Sequence, residues 1–309
     1  MQNSHTLFKK LLHTPFPFRQ GKLSLLIILL LSAVLYLTAL AHPVAASPDP
    51  RSGFSSLPLK YGRVIYRVNE NSPKQLYIIG ISHRSAETGQ NGSNTIKTQA
   101  DIFRIGEWLK QNRELQLLLP EGYFTASKNY CPPTVLGLPA GLVDNTLLEK
   151  KLADESRFVN AEMLLKENCQ MHVSQVEDRD LYDAVYRSLL SLQSTGPSQS
   201  PQERLARLQY LQELRAAELL QKIPEIIDSE LNGGHIKSRS AMFTIGLNHI
   251  QDFVRYLQGN EINIENLQSE VNLLKIGYGV TIIIPRTLAD DRKLLQLTNL
   301  EQILLASGP

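Results

Sequence analysis

Tyr77-Ile78-Ile79-Gly80-Ile81-Ser82-His83 and Phe243-Thr244-Ile245-Gly246-Leu247-Asn248-His249 share one design, a short apolar run that ends in G-x-x-H. Each run is nearly continuous in β-branched and aromatic residues, as expected of a strand buried on both faces. Each glycine, lacking a Cβ, lets the chain leave the strand sharply and lets a neighbour come close. Each histidine then stands at the carboxyl end of a strand, where open α/β sheets place their ligands. One G-x-x-H carries little weight. Two of them, both behind apolar strands and far apart in the chain, point to a shared site.

Outward from these runs, the pattern alternates between strands and helices. Arg63 to Val68 reads as a strand, and a turn at Asn69 to Pro73 joins it to Gln75–Ile79 as a hairpin whose second strand is central. Thr95 to Asn112 is an amphipathic helix with Ile102, Ile105 and Leu109 on one side. Leu115 to Leu119 is a third apolar strand, ending at Pro120-Glu121-Gly122. The stretch from Cys131 to Gly141 carries Pro132, Pro133 and Pro139 and is irregular. Helices are predicted over Asn145–Asp154, Val159–Lys166 and Leu181–Leu192, with a short strand over Met171–Val176 leading to Glu177-Asp178. Ser194 to Pro201 is a polar break, followed by a long helix over Gln202–Leu231 interrupted at Pro224. Ala241 to Ile245 is a strand, and a helix beginning near His249 carries Phe253 and Leu257. Glu265 to Ile276 reads as helical, with Leu267, Val271 and Leu274 in step, before a last strand at Val280–Ile284. The expectation is an α/β domain, a mixed and partly parallel sheet flanked by helices. Its bounds are about 59–290, with a helical insertion at about 130–232 and a C-terminal tail at 291–309.

Lys9, Lys10, Arg19 and Lys22 precede an uncharged apolar stretch from Leu23 to Ala41. As a helix that stretch would span about 28 Å, close to the roughly 30 Å of a hydrocarbon core. Basic residues before it and none close after it place residues 1–22 in the cytoplasm and the domain outside. Ala39-Leu40-Ala41 and Val44-Ala45-Ala46 both suit signal cleavage. The segment 23–41 is therefore either a signal-peptide core or a transmembrane anchor, with the balance towards cleavage, and 42–58 is a linker. The expected location is periplasmic or on the outer face of the inner membrane. A net charge of +2, much of it before the apolar segment, leaves the folded part near neutral and argues against nucleic acid as a partner. Export also makes Cys131 and Cys169 a possible disulfide pair, with two separate buried thiols as the equal alternative.

Glu121 follows a leucine-rich strand, where a carboxylate is costly unless paired, metal-bound or exposed at a cleft. His83, Glu121 and His249 together suit a divalent metal such as zinc, manganese or cobalt with a position open to water. Metal-bound water would be the nucleophile, with a second carboxylate as base.

These pieces resemble the TraB/GumN/TIKI family. There, two G-x-x-H motifs bracket the domain, an acidic residue follows an early strand, and an arginine lies on a helix before the second motif. Arg63-Val64-Ile65-Tyr66 with Tyr77 to His83 is similar to the family's opening, and Phe243 to His249 with Leu273 to Val280 is similar to its closing part. Glu121 matches the family's glutamate, and Arg215 in Glu213-Leu214-Arg215-Ala216-Ala217-Glu218 matches its arginine. The resemblance spans roughly residues 60–285 and implies metal-dependent hydrolysis, most directly of peptides. Under it, Glu121 and Arg215 are catalytic, with Arg215 holding a developing oxyanion or orienting Glu121. The motif departs from the family at Ser82, and the region between Glu121 and Arg215 is not matched to any part of it.

Other residues admit plainer readings. Glu177 and Asp178 are either a further acidic contribution to the site or a helix cap with an acidic first turn. His172 reads as structural and His235 as an exposed loop residue, while Trp108 and Tyr123 read as core and rim. Two functions remain in view: an exported metal-dependent hydrolase of a peptide or small-molecule substrate, and a non-catalytic binding protein holding a peptide, a metal or a haem-like ligand through the same histidines. The chain contains no G-x-S-x-G, no HExxH and no nucleotide-binding glycine loop after a strand.

Overall fold

The computed structural model describes residues 57–82, 93–125, 144–153, 159–192, 200–265 and 267–306. In chain order these form β1 (Gly62–Val68), β2 (Gln75–Ile81), α1 (Ser93–Arg113), β3 (Leu117–Pro120), α2 (Asn145–Leu152), α3 (Ala161–Asn168), β4 (His172–Val173) and α4 (Arg179–Leu192). They continue with α5 (Pro201–Asn232), β5 (Ser240–Gly246), α6 (Leu247–Gly259), β6 (Glu261–Ile264), β7 (Leu267–Glu270), α7 (Asn272–Lys275), β8 (Gly279–Pro285), α8 (Arg286–Ala289), α9 (Arg292–Leu297) and α10 (Glu301–Ala306).

The main sheet runs β1-β8-β2-β5-β3-β4. β1 is antiparallel to β8, and every other neighbouring pair is parallel. The fold is thus α/β with a mixed, mostly parallel sheet flanked by helices. The strand period of two sorts side chains onto the two faces. Leu76, Ile78, Leu117, Leu119, Phe243, Ile245, Ile282 and Ile284 enter one core with α5 and α6. Tyr77, Ile79, Ile81, Leu118, Met242 and Ile283 enter the other with α1, α2 and α3. Because helices cover both faces, β2, β5 and β8 are almost wholly buried, which is why they read as continuous apolar runs.

Three expectations are corrected. β1 and β2 are not a hairpin, because β8 lies between them. Apolar on both faces, β8 takes an interior place, and the half-buried β1 is left at the edge. Glu265–Ile276 is not one helix. Leu267–Glu270 pairs with Glu261–Ile264 as an antiparallel hairpin, and only Asn272–Lys275 is helical. Left-handed residues at Asn260 (φ 50°) and Glu265 (φ 43°) bracket the strand β6 and set the chain reversals. Pro224 does not interrupt α5, which runs unbroken through it. The missing amide bond is offset by the burial of Leu220, Ile223 and Ile227 against the sheet side of the molecule.

α5 opens with a capping box, the Ser200 hydroxyl accepting from Glu203 N while the Glu203 carboxylate accepts from Ser200 N. The C-terminal segment is part of the fold: Leu295, Leu300 and Leu304 join the α5–α6 core, and Arg63 Nη2 donates to Leu304 O at 3.1 Å. Among the described residues no helix is long and apolar enough to cross a membrane. The segment 23–41 lies outside them, as do Cys131 and His83.

Candidate functional site

The site is built where β2, β5 and β3 end side by side. Parallel register pairs Ile81 with Gly246 and Pro120 with Thr244, so the chain leading to Ser82-His83, the start of α6 and the turn carrying Glu121 share one rim. His83 itself lies outside the described residues. Gly80 is needed for close packing, since a Cβ there would lie 2.7 Å from Leu247 Cδ2 and 3.0 Å from Ile284 Cδ1. Gly246 has a different part from the one expected of it. Its backbone (φ −54°, ψ 140°) is open to any residue, so no unusual departure angle requires a glycine there. What it contributes is its N–H, which donates to Glu121 Oε2 at 2.6 Å.

Glu121 extends the β3 ladder through its own N–H to Thr244 O (3.0 Å), which fixes its carboxylate at the amino terminus of α6. Unpaired amides and the helix dipole favour an anion there. His249 sits in the first turn of the same helix, with Nε2 4.0 Å from Glu121 Oε1.

Arg215, in the middle of α5, joins these groups. Its Nη2 donates to Glu121 Oε1 (2.8 Å), its Nη1 lies 3.2 Å from His249 Nε2, and its Nε donates to Glu177 Oε2 (3.0 Å). Nη2 also donates to Glu177 Oε1, which accepts from Gly122 N at 3.3 Å as well. All four side chains are nearly inaccessible: Arg215 is 6% exposed, Glu121 and His249 8%, and Glu177 1%. The Tyr182 ring lies 5.3 Å from the Arg215 guanidinium, adding a cation–π contact.

A guanidinium can only donate, so His249 Nε2 accepts in this arrangement and the ring proton resides on Nδ1. Burial alone would lower the Arg215 pKa, but the hydrogen bonds and charges of Glu177 and Glu121 outweigh it and hold the group more firmly protonated than usual. Burial also pushes the Tyr182 hydroxyl up, Arg215 opposing and the two glutamates adding to the shift.

The sequence-derived residues therefore converge in part. Glu121, Arg215 and His249 meet. Of the two readings of Glu177-Asp178, each holds for one residue. Glu177 belongs to the site, whereas Asp178 Oδ1 accepts from Leu181 N (3.0 Å) at the start of α4, as a cap does. That hydrogen bond, with smaller help from Lys222, lowers the Asp178 pKa. Gln175 braces the same loop, accepting from Thr125 N (3.0 Å) and donating to Glu177 O (2.9 Å). The readings of Trp108 as core and Tyr123 as rim are reversed: Tyr123 is buried in the core shared with α1, α2 and α3, whereas Trp108 is only partly buried against it. Cys169 is a half-buried thiol raised by burial, and its pairing with Cys131 falls outside what the structure describes.

The expected metal was tested against these contacts. Donor types suit it, but the arrangement does not. Both Glu121 oxygens are engaged, by Arg215 and Gly246, and His249 Nε2 faces the guanidinium. With metal–ligand bonds of about 2.0–2.2 Å, one ion touching both donors across 4.0 Å would lie against a permanent cation. The described residues of this rim therefore do not fit a divalent ion as they stand. Among the described residues, the group of His and carboxylate atoms that does lie within 4.8 Å of one another is elsewhere, at His172, Glu230 and His235. Comparisons with protein families, with curated proteins and with solved structures find no match to the chain.

Proposed function

We propose that the chain is an exported hydrolase of peptide-type bonds, the substrate class implied by its resemblance to the TraB/GumN/TIKI family, with the strand-end cluster as its reactive centre. The observation that carries this reading is the buried contact of Arg215 with Glu121, Glu177 and His249 at one rim. A buried guanidinium held by two carboxylates, with an imidazole beside it, is costly to assemble for stability alone. A buried arginine held by two carboxylates beside an imidazole at a strand-end rim is the kind of charge constellation that reactive sites use.

The chemistry needs a base for water and a cation for the oxyanion. Among the described residues, the four contacts of Arg215 use four of the five N–H groups of a guanidinium, leaving one on Nη1 beside His249. A substrate carbonyl oxygen binds Nη1 and draws it from His249 Nε2. The freed lone pair accepts a proton from water as its oxygen attacks the carbonyl carbon. Charge gathering on the carbonyl oxygen is held by Arg215, itself kept in place by Glu177 and Glu121. The imidazolium then passes its proton to the departing amine. No step here is routed through a metal. The ion expected on His83, Glu121 and His249 would have to share the last two with Arg215.

Export through residues 23–41, as signal or anchor, belongs to the same reading and rests on charge and length. The test is turnover of a peptide library by the purified chain, with metal content measured in parallel. Loss of turnover in His249→Ala, Glu121→Gln and His83→Ala with the fold intact supports a hydrolase. Turnover unchanged in all three sinks it, and ligand capture without turnover favours the binding protein instead.

A further inference from the structure

At the opposite end of the sheet, His172, Glu230 and His235 converge from three segments that the strand-end site does not use. His172 opens β4, held at the sheet edge by its N–H to Gln116 O at 2.8 Å. Glu230 lies in the last turn of α5. His235 follows the Gly233-Gly234 turn that ends that helix. The turn is a Schellman motif: His235 N donates to Glu230 O and Gly234 N to Leu231 O, both at 3.0 Å, with Gly234 left-handed at φ 74°. That closure returns the His235 side chain to its own helix terminus. His235 Nδ1 lies 2.6 Å and His172 Nε2 2.9 Å from the same oxygen, Glu230 Oε2. The two rings stack at 4.9 Å between centroids, 21° from parallel.

We propose that this trio is a three-ligand site for a zinc-like divalent cation, unrelated to the strand-end centre. Two imidazole nitrogens and one carboxylate oxygen are a borderline donor set, suited to zinc, cobalt or nickel over calcium or magnesium. Aimed at one oxygen, both rings must donate a proton to it in the absence of an ion. A cation there takes the place of both protons, each ring carrying its own on the other nitrogen, His235 Nε2 and His172 Nδ1, so that the converging lone pairs become ligands. The ligand atoms lie within 4.8 Å of one another, and reaching a tetrahedral spread of about 3.3 Å opens the two short N–O contacts by less than about 1 Å and closes the remaining separation by at most about 1.5 Å. His235, 57% exposed on its turn, has the freedom to make them. Ser174 hydrogen-bonds the Glu230 carboxylate and supports its orientation. Carbonyls at the carboxyl end of α5 add the negative end of the helix dipole, which favours a cation. The bound ion clasps the two-residue edge strand β4 to the end of α5, the helix that carries Arg215.

The experiment is a zinc titration of the purified, untagged chain after chelation, by calorimetry, with cobalt absorption as a second readout of nitrogen ligation. The expected result is one equivalent bound, a raised unfolding midpoint, and loss of both in His172→Ala and in His235→Ala. The same equivalent should persist in His249→Ala and Glu121→Gln, so failure here and failure of the strand-end reading are distinguishable. Because His235 is exposed, its alanine variant should unfold like the parent when zinc is absent. Zinc binding that survives the combined His172→Ala/His235→Ala change, or no binding by the parent chain, overturns the proposal.

Discussion

Arg215 grips Glu177 with two prongs, Nε reaching one carboxylate oxygen at 3.0 Å and Nη2 the other, although the residues lie 38 positions apart. This fork fixes the guanidinium plane and leaves Nη1 to face His249. Glu121 then holds the far side of the same group. Glu177 is therefore the positioning residue of the cluster, while Glu121, 8% exposed at the start of α6, is the carboxylate nearer the rim.

Removing Arg215 leaves two carboxylates buried and unpaired. Arg215→Ala should cost about 3–5 kcal/mol in urea unfolding, the usual penalty for breaking a buried ion pair. Arg215→Lys keeps the charge but cannot fork, so it should recover part of that stability and none of the turnover. Equal stability of the Lys variant and the parent would show that the two-pronged geometry is immaterial.

Glu121→Gln looks conservative and should not be. Both Glu121 oxygens face donors, Arg215 Nη2 and Gly246 N, so either orientation of the amide points its NH2 at an N–H. One donor is left unsatisfied, at a cost of about 1–3 kcal/mol. Urea midpoints of Glu121→Gln and the parent, measured side by side, would reveal this, and no difference would mean the carboxylate is less tightly held than these distances indicate.

Gly80→Ala tests the packing of the rim itself. Its Cβ would meet Leu247 and Ile284, both on well-packed elements, and overfilling of this kind costs about 1–3 kcal/mol. Thermal unfolding should show the loss. A variant as stable as the parent would mean that α6 can shift on the sheet.

Much of this was legible because buried strands write their burial into the sequence. β2, β5 and β8 carry nearly unbroken apolar runs, and the turn after β3 announces itself through Pro120 and Gly122. The order of strands was not legible. Nothing in Arg63–Val68 says that β8, more than two hundred residues later, pairs with it in place of β2. Leu267, Val271 and Leu274 mimic a helical period, yet Leu267 lies on β7, Val271 caps α7 and only Leu274 is helical, because the β6–β7 hairpin depends on backbone angles at Asn260 and Glu265. In the site, Glu121 and His249 follow strands and were readable from position. Arg215 lay among other charges on a long helix and needed the resemblance to single it out. Glu177 had a capping explanation that its neighbour Asp178 in fact fulfils, so only tertiary contact could separate the two. His172 and His235 looked unrelated because their common partner, Glu230, sits at a helix end that the Gly233-Gly234 turn folds back upon.

Asp252, one turn beyond His249, supplies a pH test. Burial pushes its carboxyl up to about 6 from 3.8, with Arg255 pulling it back and Glu213 adding to the rise. A carboxyl raised in the folded state binds its proton more tightly there than in the unfolded chain. Its contribution therefore favours folding below pH 4 and is withdrawn as pH rises from about 4 to about 6, staying flat above. A shift of this size corresponds to about 3 kcal/mol at most, and partial exposure of the side chain (21%) reduces that to about 1–2 kcal/mol. Asp252→Asn removes the titration while losing only a surface contact to Arg255, itself 53% exposed. The variant should match the parent at pH 4 and exceed it at pH 7 in urea unfolding. Comparing the two chains at each pH cancels the carboxylates they share, so a difference that stays constant between pH 4 and 7 would mean that Asp252 does not titrate in this window.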